Sequence, residues 1–596
     1  MKLTYTSDSI QFRCRDTVYS FLPTGDIELF THGRTMINGY IGNKRDGSAN
    51  NIWLRIHRKN KIDSYPLLGI SSDTHVSKGA YGLKFSGTAD HISYEILFRP
   101  SDSLWFWDIS LEGHGETVDI IYGQDLGMAD QAAVLENELY AAQYLGHTVL
   151  EDSRGFHICS RQNLPQDDAF PFLQQGMLHG KSMGYSTDGL QFFGLTYKAR
   201  NIPDALSKNL ESKVLQSESS YIALQSCAVA LTEKKSFTFY CLFLSDHPRK
   251  VSSLESMDKI LSTYHALPAE KEYEPLPRVK MRPLFGTPYS SPLWGKTMVD
   301  RIFPEKKLEE YAHGRLLSFF LPDDSHVVLA QKELFTERPH GNIITTQADM
   351  ERINHNLITS THYIYGIFNS QTAIGNTTKH KLLSTARGQY NLFKNSGQRI
   401  WVSIDGQFRI LGLPSAFVTG LSYSRWLYQI GNDILQITSW SASDQPEIVT
   451  EVKSLQGISY DFIVTHQLVM GVHEFSTPIT LEENNGILHI YPDAPSSPYP
   501  DWHYDISVPG TAYAGATNAY FSRILPRKTE PWYAFLCITS PVSKSFYRDF
   551  WKIKHPWQPC PGIFNKKSGA AKHTMIGFFA VFCWKRTGLR KKNWKS

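Results

Sequence analysis

In SFTFYCLFL, residues 236–244, Phe237, Phe239, Cys241 and Phe243 stand at every second position. That period places all four on one face of an extended strand and scatters them around a helix. Strand-like runs of this kind return along the chain. YEILF (94–98) and SLWFWDISL (103–111) flank RPSD and predict a hairpin. RIWVSIDGQFRILGL (399–413) sets Asp-Gly between two alternating runs, a hairpin signal with a defined turn. DFIVTHQLVMGV (461–472) and WYAFLCIT (532–539) read as strands as well. Aromatic residues make up 13% of the chain, and 41 Gly with 30 Pro supply turns. Both fit pleated sheets more closely than helices.

A chain of 596 residues is too long for one core. Between 266 and 292 stand six prolines (268, 275, 277, 283, 288 and 292). Proline at that density fixes φ and removes donors, as an inter-domain linker does. The expected organisation is a first antiparallel β-sandwich domain over 1–265, a linker over 266–292, a second sandwich over 293–545, and a connector with a basic tail over 546–596. Few helices are expected. SSLESMDKILSTYHAL (252–267) predicts one, with a capping box from Ser252 to Glu255 and Leu254, Met257, Leu261 and Tyr264 at helical spacing. PEKKLEEYAHGRLLSFF (304–320) predicts another.

The tail breaks the pattern. From Phe550 onward there is no acid, yet eleven of the 61 Lys and Arg lie there. Without them 50 basic residues face 57 acidic ones, so the body is mildly acidic and offers no nucleic-acid face. The tail reads as the product of a shifted reading frame or misjoined coding segment, against the alternative of a basic grip for nucleic acid or membrane. Seven widely spaced cysteines without a CxxC pair point to a reducing, cytoplasmic setting and away from a disulfide framework or zinc site. No apolar run reaches the roughly 18–20 residues of a membrane helix.

Chemistry could reside in CSRQNLPQDDAFPFLQQG (159–176). Asp167 and Asp168 could act in acid–base work, but adjacent carboxylates seldom straddle one bond, so loop capping is the expectation. Arg161, Gln162 and Asn163 suit sugar hydroxyls or phosphate, or an internal hydrogen-bond network. In ERPHGNI, Glu337, Arg338 and His340 pose the same choice between ligand binding and a local ion pair with His340 over Pro339. Asn369, Gln371 and Asn376 are amide-rich as sugar sites are, and as turns are. Arg425 beside Trp426 is a stacking platform or a core Trp with a snorkelling Arg. The sequence contains no GxSxG, HExxH, P-loop, Rossmann fingerprint or Cys/His metal spacing.

Seven segments occur in order: YGQDLGMAD (122–130), CSRQN with PQ (159–166), YSTDGLQFFGLTYK (185–198), ELFTERPHGNI (333–343), FNSQTAIGNTTKHKLLS (368–384), SGQRI (396–400) and LGLPSAF (411–417). As a set they resemble the N-terminal half of 1,2-β-oligoglucan phosphorylases, relatives of cellobiose phosphorylase in glycoside hydrolase family 94. The resemblance covers most of residues 1 to about 550. It implies supersandwich domains of galactose mutarotase-like type and reversible, inverting phosphorolysis of β-1,2-glucooligosaccharides to α-glucose 1-phosphate. Phosphate is then a co-substrate, and no metal or organic cofactor is implied. The expected partner is a β-glucan oligosaccharide, with neither nucleic acid nor membrane. Phosphorylases of this kind are commonly dimers, so a homodimer is among the expectations. In that family a following (α/α)6 barrel carries the general acid. After Trp551 only 45 residues remain, so no catalytic residue carries over and the chain alone is expected to be inactive. Arg161, Gln162, Arg338, His340, Asn369 and Gln371 remain as substrate-flanking candidates. The alternatives are a stand-alone carbohydrate-binding protein and a scaffold for a separate catalytic chain.

Overall fold

The computed structural model describes residues 2–6, 9–270, 272–278, 287–345, 358–374, 381–384, 390–394, 396–442, 446–475, 479–484, 487–492 and 502–507. It also describes strand backbone at 512–516, 535–540, 550–552 and 577–586. The chain divides into two compact units, Met1–Tyr197 with Asn201–Arg282, and Lys198–Arg200 with Pro283–Ser596. Both are mainly β and antiparallel. The division at 282 lies inside the proline-rich stretch.

In the first unit the described sheets have six, nine and six strands. The expected hairpin is formed by Ile92–Pro100 and Leu104–Glu112, with Phe98 opposite Trp107. Leu104–Glu112 then pairs with Lys235–Leu244. The alternation in 236–244 sends Phe237, Phe239, Cys241 and Phe243 into the main core. There Phe98 meets Phe21 and Trp107 at ring-centroid distances of 4.8 Å each. Tilted and edge-on rings of this kind add roughly 0.5–1.5 kcal/mol per pair beyond burial. The opposite face of the same strands, with Phe106, Tyr240 and Leu242, receives the helix Met257–Ala266 through Ile260.

The capping box at that helix does not form. The helix starts behind Ser256, whose φ is 51° and whose side chain makes no cap bond. Glu255 serves tertiary partners instead. Its N–H donates to Gln174 Oε1 (2.8 Å) and its carboxylate accepts from His247 Nε2 (3.1 Å).

In the second unit the described sheets have twelve and eight strands. Gln398–Ile404 and Gln407–Ile410 make the expected hairpin, turning at Asp405 (φ 52°) and Gly406 (φ 74°). Phe462–Gln467 and Phe535–Ser540 are the strands expected from 461–472 and 532–539. The helix expected over 304–320 is instead a second hairpin, Lys307–Ala312 with Arg315–Phe320. His313 (φ 49°) and Gly314 (φ 71°) both occupy the left-handed region, as a two-residue type I′ turn requires. Leu316 and Phe319 pack against Val327 and Val418, so burial overrides the helical propensity of KKLEE. The helix in this region lies upstream, at Lys296–Ile302.

Of the basic tail, strand backbone is placed at Phe550–Lys552 and Gly577–Arg586; the remainder lies outside the described residues. Cys14, Cys159, Cys227 and Cys241 are free thiols. Among the described residues no helix is long and apolar enough to cross a membrane.

Candidate functional site

The loop of 159–176 is bound by its own hydrogen bonds. Arg161 is the penultimate residue of the strand Gly155–Gln162, and its Nε donates to the His247 carbonyl (2.7 Å). Its NH1 donates to Asn163 Oδ1 (2.6 Å), and the guanidinium lies 4.1 Å from the Phe170 ring centre. Gln162 is buried; its amide donates to the Ala141 carbonyl (3.0 Å) and accepts from the Leu164 N–H (3.1 Å). These polar groups hold the loop to the sheet and to the segment around 247. Asp167 and Asp168 are exposed, with φ of 47° and 63°, between the paired residues Gln166 and Ala169. They form the tip of a two-residue turn, as loop residues rather than a carboxylate pair.

A second cluster forms inside the second unit, from Lys198, Glu333 and His340. Glu333 ends the short helix Ala330–Glu333 that follows the strand His326–Leu329, and it is fully buried. Its Oε1 accepts from Lys198 Nζ (3.0 Å), itself 1% exposed. Its Oε2 accepts from His340 Nδ1 (2.6 Å) and from the His340 backbone N–H (3.1 Å). Lys198 donates further to the Thr336 carbonyl (2.7 Å). Burying a charge is costly unless it is paired and hydrogen-bonded, and here each ion has both a counter-charge and a hydrogen bond. The carboxylate fixes Nδ1 of His340 as a donor, which leaves Nε2 to face other chemistry. The His340 side chain is 23% exposed.

The rim of this cluster is cationic and aromatic. Arg338 and Phe335 are exposed. Lys332 donates to Ser318 Oγ (3.0 Å) and is paired with Glu310. His326 stacks on Phe320 with ring centres 4.6 Å apart, and burial, reinforced by the charges of Lys332 and His340, holds its pKa below the usual imidazole range. Guanidinium and imidazole groups are donors that can hold phosphate, and an exposed ring can face a sugar.

Asn369 sits in the interior of the same unit. Its amide nitrogen donates to Gln398 and to Thr450 Oγ1 (3.1 Å), while its oxygen accepts from Ser360 Oγ (3.0 Å) and pairs with His362 Nε2 (3.3 Å). Gln398 in turn pairs with His466 Nε2 (3.0 Å). His362 is pushed down to about 3 by burial, and His466 well below its ordinary value by the same cause, so both are neutral. Gln371 lies at φ 43° in the strand Ile367–Ile374, where its register with Ile358–Tyr363 shifts. Asn376 lies outside the described residues. Trp426 is buried, donates to the Tyr363 carbonyl (3.1 Å) and packs on Phe368 at 4.9 Å, while Arg425 lies over Tyr423. It is a core Trp.

Sequence reasoning reached His340 but missed its partners. Lys198 and Glu333 are 135 residues apart and lie at the edges of two of the seven segments. That location was the only signal available. A trio of His489, His503 and Asp505, gathered across another hairpin, was missed as well.

Two family models match the chain: the SOGP N-terminal domain over residues 20–241, and the glycoside phosphorylase supersandwich domain over 303–535. A 1,2-beta-oligoglucan phosphorylase from Listeria innocua serovar 6a is 33% identical over 514 residues, covering 85% of this chain. The chain belongs to this glycoside phosphorylase family. It spans 46% of that relative's length. Solved structures similar to it include a polysaccharide lyase (8% identity, 78% of this chain and 47% of that one, TM-score 0.27). Another is a putative kojibiose phosphorylase from human microbiome (8% identity, 44% and 36%, TM-score 0.21). At such TM-scores they add nothing to the argument. The Lys198–Glu333–His340 cluster belongs to the second unit, and Glu333, Arg338 and His340 lie inside the supersandwich match.

Proposed function

We propose that this chain is the sandwich portion of a phosphorylase of β-1,2-linked glucooligosaccharides. Such an enzyme exchanges sugar and inorganic phosphate reversibly, with inversion, to give α-glucose 1-phosphate. The observation that carries the reading is the 33% identity to a 1,2-beta-oligoglucan phosphorylase across 85% of the chain. In inverting phosphorolysis an acid protonates the leaving oxygen while phosphate attacks from the opposite face, so no base is needed to activate water. Neither the Asp167–Asp168 pair nor Glu333 is assigned as that acid. Asp167 and Asp168 cap an exposed turn, and Glu333 is held as a buried anion by Lys198 and His340. In this reading the two units shape and flank the substrate. We assign the flanking role to His340 and Arg338, while the hydrogen bonds of Arg161, Gln162 and Asn369 suit upkeep of the loops and interior.

The test is to incubate purified chain with β-1,2-glucotriose and phosphate, and to titrate the same protein calorimetrically with β-1,2-glucan. The expected outcome is no glucose 1-phosphate, together with saturable heat that weakens in Arg338→Ala. Steady phosphorolysis by the chain alone would overturn the assignment of the acid elsewhere. A flat titration would remove the substrate-flanking role.

A further inference from the structure

Strands Ile487–Pro492 and Trp502–Ser507 pair antiparallel in the second unit, with His489 directly opposite Asp505. Side chains two apart on a strand share a face, so His489 and Tyr491 of one strand meet His503 and Asp505 of the other. His489 Nδ1 lies 2.6 Å from Asp505 Oδ1, and His503 Nε2 lies 3.6 Å from the same oxygen. The ligand atoms of the three residues all fall within 4.8 Å of one another. Asp505 is fully buried, yet its Oδ2 has no hydrogen-bond partner among the described residues. An orphaned oxygen on a buried carboxylate is costly, and two imidazoles alone do not satisfy it.

We propose that His489, His503 and Asp505 form a binding site for a divalent transition metal of the zinc class. Two imidazole nitrogens and one carboxylate oxygen are the donors zinc takes at about 2.0–2.2 Å, which sets ligand atoms roughly 3.3 Å apart in a tetrahedron. The 3.6 Å from His503 Nε2 to Asp505 Oδ1 is close to that spacing, whereas His489 Nδ1, hydrogen-bonded at 2.6 Å, has to draw back by several tenths of an ångström to share an ion. The cation supplies the counter-charge for the buried Asp505 carboxylate, whose Oδ1 faces both imidazoles. The Tyr491 ring packs beside His503, with ring centres 4.9 Å apart. Glu482, exposed and in register with His489 on the neighbouring strand, adds negative charge on the solvent side. The His489 side chain is 20% exposed, which gives an entry path and leaves the fourth position to water. Mixed nitrogen and oxygen donors select zinc, cobalt or nickel over magnesium or calcium, which prefer all-oxygen shells. A bound ion would staple the two strands of the hairpin together.

The test uses the full chain after chelator treatment and dialysis into metal-free buffer without phosphate. Titration with zinc chloride is followed by calorimetry, titration with cobalt by its visible d–d absorption, and the zinc-loaded protein is measured by X-ray absorption. One equivalent should bind saturably, with a first shell of two imidazoles and oxygen. Affinity should fall about tenfold or more in His503→Ala and in Asp505→Asn. Absence of saturable uptake would overturn the proposal, as would sulfur or all-oxygen coordination, or uptake undiminished in both variants. The wild-type absorption spectrum decides the matter even where a variant fails to fold.

Discussion

Replacing Glu333 by Gln keeps the shape of the side chain and removes its charge. Lys198, 1% exposed, is then left as a buried cation facing a neutral amide and the Thr336 carbonyl. At 3.0 Å the pair attracts by about 5–6 kcal/mol at an effective dielectric of 20. Desolvation offsets much of that in the intact pair, but not in the broken one. Removing one partner of a buried pair costs roughly 3–5 kcal/mol. We expect Glu333→Gln to destabilise the second unit by that amount, with His340 losing its fixed Nδ1 partner at the same time. Hydrogen exchange of peptides from Gln398–Ile404 and Phe462–Gln467, read across a urea series, isolates this unit. Lys198→Met combined with Glu333→Leu removes both charges, and should recover at least about 2 kcal/mol relative to the sum of the single variants. A cost below about 1 kcal/mol for Glu333→Gln, or strictly additive singles, would refute the buried-pair account.

Three further outcomes follow from the same structure. His362 is held down to about 3 by burial, while in the unfolded chain it takes a proton near 6.5. Its stabilisation is therefore complete above that pH and lost as pH falls toward 3, about 2 kcal/mol by pH 5, with His466 acting in the same direction; stability of the second unit that is level from pH 7 to 5 would contradict this. Phe98→Ala, at the centre of the first unit's ring cluster, should cost about 3–5 kcal/mol in urea unfolding, and a loss under 1 kcal/mol would count against that packing. Asp167→Asn with Asp168→Gly suits a turn in which both φ values are positive and should raise stability by roughly 0.5–1 kcal/mol; a lower thermal midpoint would show that the pair is not a turn tip.

Some of this was legible in the chain and some was not, for reasons that can be named. The alternation at Phe237, Phe239, Cys241 and Phe243 reached the core as read, because a period of two admits one buried face. Asp405-Gly406 turned as read, because few other dipeptides take two positive φ values cheaply. The segment 304–320 misled because KKLEE has helical propensity, while the deciding His313-Gly314 turn lacks the Asn or Asp that would announce it. The capping box failed for a different reason: Glu255 had two partners offered by distant chain, Gln174 and His247.

Local residue order thus specifies many of the strands and turns and the mainly β character, since these depend on neighbours within a few positions. The chemistry-bearing groups depend on distant ones. Asn369 was visible as an amide, but its enclosure by Ser360, Gln398 and Thr450 exists only once three strands come together. Lys198 and Glu333 are ordinary charges in the chain, and become a buried pair holding His340 only when folding brings together positions 135 apart. His489 and Asp505 meet because antiparallel register places them opposite each other, a pairing distance fixed by the hairpin rather than by any motif.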